Sequence, residues 1–145
     1  MPARQPVSIL LVEDDPAHAA MVQRSLEDFR VENRITLVTD GQQALDHLLP
    51  GEPAAPARRR PDLILLDLRL PKVDGHEVLR RIKADESLRS IPTVVLTTSN
   101  AEADLARAYE HGADSYLVKP LGHGEFSGLM EAFGDYWLAW NRYPG

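Results

Sequence analysis

Cysteine is absent from the 145 residues. That excludes disulfides, thiolate nucleophiles and Cys-ligated zinc, and with them the stapled folds of small secreted proteins. Aromatic side chains are scarce, at 3 Phe, 2 Trp and 4 Tyr, so any clustering of them stands out. Positive charge is in deficit: 16 Lys and Arg stand against 22 Asp and Glu, for a formal charge of −6. Binding to nucleic acid or anionic lipid needs a basic surface, so neither is expected as a main partner. No apolar run approaches the roughly 20 residues that cross a bilayer. Residues 1–5 lack the apolar stretch of a signal peptide. A cytoplasmic location with no membrane partner is the expectation. What remains, 43% apolar and 26% charged, is the balance of one globular domain at this length.

The apolar residues fall into short runs that stop abruptly at polar ones. Val7–Val12 ends at Glu13-Asp14-Asp15-Pro16, Leu63–Leu66 ends at Asp67, and Thr93–Leu96 ends in Thr97-Thr98-Ser99-Asn100. Tyr116–Val118 ends at Lys119-Pro120, and Ile35–Val38 is closed by Asp40-Gly41. All five read as strands, and Val7–Val12, short and bounded by turn residues, as one buried on both faces. Between them apolar residues recur at helical spacing: Ala19, Met21, Val22, Leu26 and Phe29; Ala44, Leu45, Leu48 and Leu49; Val78, Leu79 and Ile82; Leu105, Ala106 and Tyr109. Pro16 suits a first helical turn with Asp15 as N-cap. A last helix is expected from about Glu125 toward Trp140. Five strand–helix pairs predict an α/β, three-layer, doubly wound parallel sheet. Pro50 to Pro61, with prolines at every third position through Pro56 and then Arg58-Arg59-Arg60, reads as a loop within that one domain.

The polar residues that end the strands are those that carry chemistry. In a parallel sheet all strand C-termini share one edge, and ligands bind there where the chain order reverses. If strands one and three are neighbours, Glu13, Asp14 and Asp67 converge. Three carboxylates repel unless protons or a cation join them. An all-oxygen donor set selects Mg²⁺, with Mn²⁺ as the alternative, over zinc. Lys119 adds a compact cation suited to phosphate, and Thr97 adds a hydroxyl. Together they would neutralise a phosphoryl group in transfer, with Asp67 as the nucleophile that forms an aspartyl phosphate.

These residues resemble the receiver domain of two-component response regulators. The matching elements are Leu11-Val12-Glu13-Asp14-Asp15, Asp67-Leu68-Arg69-Leu70-Pro71-Lys72-Val73-Asp74-Gly75, Thr97-Thr98 and Tyr116-Leu117-Val118-Lys119-Pro120. The resemblance implies one receiver domain over residues 1–145 with strand order 2-1-3-4-5. It implies Asp67 as phosphoacceptor, Glu13 and Asp14 as the acidic pair holding Mg²⁺, and the main-chain carbonyl of Arg69 as a further ligand. Thr97 would be the switch hydroxyl and Tyr116 the switch aromatic that turns inward on phosphorylation. Lys119 would hold the phosphate, and Lys119–Pro120 would be a cis bond. The partner implied is a sensor histidine kinase. The proline- and arginine-rich insertion, the Ile91–Ser99 block and the aromatic C-terminal tail point more narrowly to single-domain regulators that serve bacterial phytochrome kinases. Such a protein is a signalling phosphoacceptor that catalyses its own phosphotransfer and dephosphorylation, with no output domain of its own.

Two features depart from the commonest pattern of that family. Glu13 stands where Asp is more frequent and is one methylene longer, enough to reach a metal through water. Arg69 puts a charged side chain at the rim, where it can hinder or assist water. Rival readings need other motifs. Haloacid-dehalogenase-type phosphatases need Asp-x-Asp after strand one, Toprim-type sites need it after strand three, and a flavin or nucleotide carrier needs a Gly-rich or hydroxyl-rich loop after strand one, where this turn is acidic. The five histidines, His18, His47, His76, His111 and His123, show no ligand spacing and read as surface residues. Leu129, Phe133, Trp137 and Trp140 share one helix face. The aromatic extension over about 136–145 predicts a homodimer with Trp137 and Trp140 in its interface.

Overall fold

A computed structural model describes residues 6–49 and 60–140. Tyr143, Arg58, Arg59 and most of the proline-rich insertion lie outside the described residues. Five strands and five helices alternate. They are β1 (Val7–Val12), α1 (Pro16–Glu27), β2 (Asn33–Val38), α2 (Gly41–Leu48), β3 (Leu63–Leu66), α3 (Gly75–Ala84), β4 (Thr93–Thr97), α4 (Glu102–Glu110), β5 (Ser115–Val118) and α5 (His123–Gly134). All pairings are parallel, in the order β2-β1-β3-β4-β5. β1 and β3 are neighbours, with Val12 opposite Leu66, so the acids that follow each strand emerge side by side.

The strands in the middle of the sheet are predominantly apolar because both faces are covered. Leu10, Val12, Ile64, Leu66 and Val95 point to the side of α2 and α3. Ile9, Leu11, Leu63, Leu65, Val94 and Leu96 point to the side of α1 and α5. The edge strand β2 alternates in exposure. Replacing Ile64, which is fully buried, by Ala should cost about 2–5 kcal/mol, read from the urea midpoint at unchanged slope.

The first three helices each begin on an aspartate cap. Asp15 accepts from the amides of Ala17 and His18, with Pro16 in the first turn, as the sequence predicts. Asp40 caps α2 through Gln43, and Asp74 caps α3 through Glu77. The start of α3 is pressed against the end of β3: a Cβ on Gly75 would lie 2.3 Å from the carbonyl oxygen of Asp67 and 2.5 Å from Leu68 Cα. Both obstacles are backbone and cannot swing aside. Gly75→Ala should therefore lower stability by about 1–3 kcal/mol in denaturant titration, and the displacement falls on the residue that carries Asp67.

Three local details differ from the expectation. Helix α1 ends at Glu27, so Phe29 lies beyond it; the ring instead covers Gly134, where a Cβ would meet it at 2.5 Å. Past Gly134 the last helix widens into a π-helical stretch, Asp135–Trp140, with Asp135 tied to Arg30 at 2.7 Å. Lys119–Pro120 is trans, not cis, the isomer that an X–Pro bond prefers by about 0.5–1 kcal/mol.

Candidate phosphoryl-transfer site

Glu13 and Asp14 follow β1, Asp67 follows β3 and Lys119 follows β5, and the topology sets them at one edge of the sheet. The Lys119 ammonium is the hub. Its Nζ donates to Glu13 Oε2 at 2.5 Å, to Asp67 Oδ2 at 2.9 Å and to His18 Nδ1 at 3.0 Å. Glu13, Asp67 and Lys119 are all buried, a setting where a charge left unpaired is costly. The other oxygen of each carboxylate is held by main chain: the Arg69 amide donates to Asp67 Oδ1 at 3.1 Å, and the Asp15 amide to Glu13 Oε1 at 3.1 Å.

Asp14 is exposed at the mouth. Glu13, Asp14 and Asp67 each offer an oxygen, and these three atoms lie within 4.8 Å of one another. A hard divalent cation fits such a donor set. Without one, the carboxylates share a single ammonium. Burial pushes the Glu13 carboxyl up to about 7; the Lys119 hydrogen bond pulls it down, and the charge of Asp67 pushes it further up.

Thr97 ends β4 and is fully buried. Its hydroxyl oxygen faces the Ser99 amide at 3.5 Å, and its carbonyl accepts from the Lys119 amide at 2.7 Å. Tyr116 packs against the core on the side of α2 and α3, and its hydroxyl donates to the Ser99 carbonyl at 2.9 Å. Desolvation raises the pKa of that phenol. The switch pair from the sequence therefore meets in the segment joining β4 to α4.

A second polar cluster at the rim gives no sign of itself in the sequence. Asp104 of α4 receives the Ser99 hydroxyl at 2.6 Å, His76 Nε2 at 3.1 Å and the Arg69 guanidinium at 3.0 Å. The Ser99 and His76 hydrogen bonds hold the Asp104 carboxyl below its usual range. Arg69, 71% exposed along its side chain, is thus drawn toward α4. Beside it lies a cavity of about 470 Å³ lined by Asp14, Arg69, His76, Asp104 and Arg107, among others. The surface reading of the histidines fails for His76, which is buried between α3 and α4. It also misses that His18 faces Lys119.

The two interface candidates separate. Trp137 is 8% exposed and belongs to the core on the side of α1 and α5, so it is not a free interface residue. Its neighbour Leu138 is buried with it, because the widened turn still lies on the domain. Trp140 is 77% exposed.

Comparison with known proteins agrees with the geometry. The family described as "Response regulator receiver domain" matches residues 9–131. The chain is 50% identical over 143 residues to the probable methanogenesis regulatory protein FilR2 of Methanothrix harundinacea, covering 99% of this chain and 91% of that one. It is 38% identical over 133 residues to the response regulator Rcp1 of Synechocystis, covering 92% and 90%; the crystal structure of the Mn²⁺-bound form of Rcp1 superposes with a TM-score of 0.91 at 37% identity, over 97% of this chain and 100% of that one. The phosphorylated cyanobacterial phytochrome response regulator RcpA gives the same TM-score, identity and coverage.

Proposed function

Because the chain belongs to the response regulator receiver family, we propose that it accepts a phosphoryl group on Asp67 from the phosphohistidine of a sensor kinase and relays the change through its surface. The observation that carries this reading is the buried Lys119 ammonium shared between Glu13 and Asp67 beside exposed Asp14. An Asp67 carboxylate oxygen forms the P–O bond as the P–N bond of the donor breaks, and the imidazole leaves with the electron pair and takes up a proton. Lys119 binds an oxygen of the incoming group and offsets its charge. Mg²⁺ or Mn²⁺ held by Glu13, Asp14, Asp67 and the Arg69 carbonyl would supply the remaining positive charge. The main-chain amide at Arg69 fixes the Asp67 carboxylate, so the nucleophile is oriented before the donor arrives.

The new charge on Asp67 draws the Thr97 hydroxyl toward it. Since Tyr116 is bonded to the Ser99 carbonyl two residues on, the β4–α4 segment and the outer face of β5 shift together. Output then passes through protein contacts of the receiver domain, in the cytoplasm. The likeness to the cyanobacterial phytochrome response regulator RcpA supports a phytochrome-type kinase as donor. Trp140, exposed beyond the core, supports a second copy of the chain as a contact; Trp140→Ala is expected to lower the sedimentation coefficient at a concentration where the parent self-associates.

The test is chemical. Acetyl phosphate with Mg²⁺ should add one hydroxylamine-labile phosphoryl group per chain, seen by intact mass, and chelation of the cation should suppress it. Labelling that persists in chelator, or that survives hydroxylamine, contradicts the reading.

A further inference from the structure

Lysine ammonium has three N–H donors and no acceptor. In this chain the three are directed to Glu13, Asp67 and His18. Two of those acceptors are carboxylates of the acidic cluster, and both change partners if a cation and a phosphoryl group enter. The third, His18 Nδ1, belongs to neither group. Since Lys119 can only donate, Nδ1 must accept, which sets the proton of the neutral ring on Nε2.

The ring is fixed from two sides. The first turn of α1 is held by the Asp15 cap, which accepts from the His18 amide itself at 3.3 Å, and the ring stacks on Phe126 of α5 with centroids 6.5 Å apart and planes 23° apart. Phe126 is a buried core residue, so the stack ties the ring to the body of the domain. His18 is 30% exposed along its side chain.

We infer that His18 is a positioning residue for Lys119, an anchor that keeps the ammonium in place while Glu13 and Asp67 turn to other partners. The inference rests on the proposed function above and adds a residue from α1 to it. With one N–H anchored on His18, the other two remain free to face phosphoryl oxygens. Without the anchor, Lys119 keeps its charge but samples more positions, and fewer of these meet the transferring group.

Asn offers a sharp probe, because its Oδ1 is bonded to Cγ as Nδ1 is in His. It preserves the acceptor and removes the ring. Leu does the opposite: it packs on Phe126 and accepts nothing. The initial rate of Mg²⁺-dependent phosphorylation of the full chain by acetyl phosphate is measured for the parent, His18→Leu, His18→Asn and Asp67→Asn, at a temperature below every melting transition. His18→Leu is expected to slow the reaction about tenfold, the scale of one hydrogen bond to a charged group. His18→Asn should recover to within about threefold of the parent. A Leu variant at the parental rate, or an Asn variant as slow as Leu, overturns the inference. Labelling of Asp67→Asn would instead overturn the assignment of the phosphoacceptor, so the two failures are told apart in one experiment.

Discussion

Asp67→Asn is expected to take up no phosphoryl group from acetyl phosphate and Mg²⁺, whereas the parent chain takes up one. Asn has nearly the same shape, but its single oxygen can accept from the Arg69 amide or from Lys119 Nζ and not from both, so the fold should survive at a cost in stability. The amide lacks the anionic oxygen that attacks phosphorus. It also removes one of the three carboxylates that would hold a cation. Intact mass spectrometry reads the result directly, with thermal melting as the control for folding. Undiminished incorporation would place the nucleophile elsewhere.

Lys119→Met should produce the largest stability effect of any polar substitution at the site. The ammonium is buried and shared by two buried carboxylates. Met fills similar volume but leaves Glu13 and Asp67 facing each other without a cation. Breaking a buried ion pair by removing one partner costs on the order of 3–5 kcal/mol. Part of that is recovered because Glu13, already pushed up to about 7, takes a proton readily, so the net loss should be about 3 kcal/mol in chelator near neutral pH. Mg²⁺ should restore much of it, since a divalent ion does for the carboxylates what the lysine did. Denaturant titrations with and without Mg²⁺ check both parts. An unchanged midpoint in chelator would mean that the carboxylates do not depend on Lys119.

The residues at the strand ends were legible because a parallel sheet converts sequence position into spatial position. Once Val7–Val12, Leu63–Leu66 and Tyr116–Val118 read as parallel strands, the residues that follow them must share an edge, and Glu13, Asp14, Asp67 and Lys119 do. The Asp15 cap was legible for a local reason, because Pro16 follows it in a first helical turn. His18 was not, because its partner Lys119 lies 101 residues away and a lone histidine in a first helical turn looks like a solvated one. His76 was not, because its burial comes from the approach of α4 to α3, which no local pattern encodes. Trp137 and Trp140 sit on one helical stripe in the sequence. Only the point where the last helix leaves the domain decides that the first ring is covered and the second is not.

The decisive measurement is a crystal structure of the full chain with Mg²⁺ and trifluoroberyllate. Density is expected for one divalent ion among Glu13, Asp14 and Asp67, with beryllium on an Asp67 oxygen and Lys119 Nζ on a fluorine. An empty acidic cluster, or trifluoroberyllate bound away from Asp67, would contradict it.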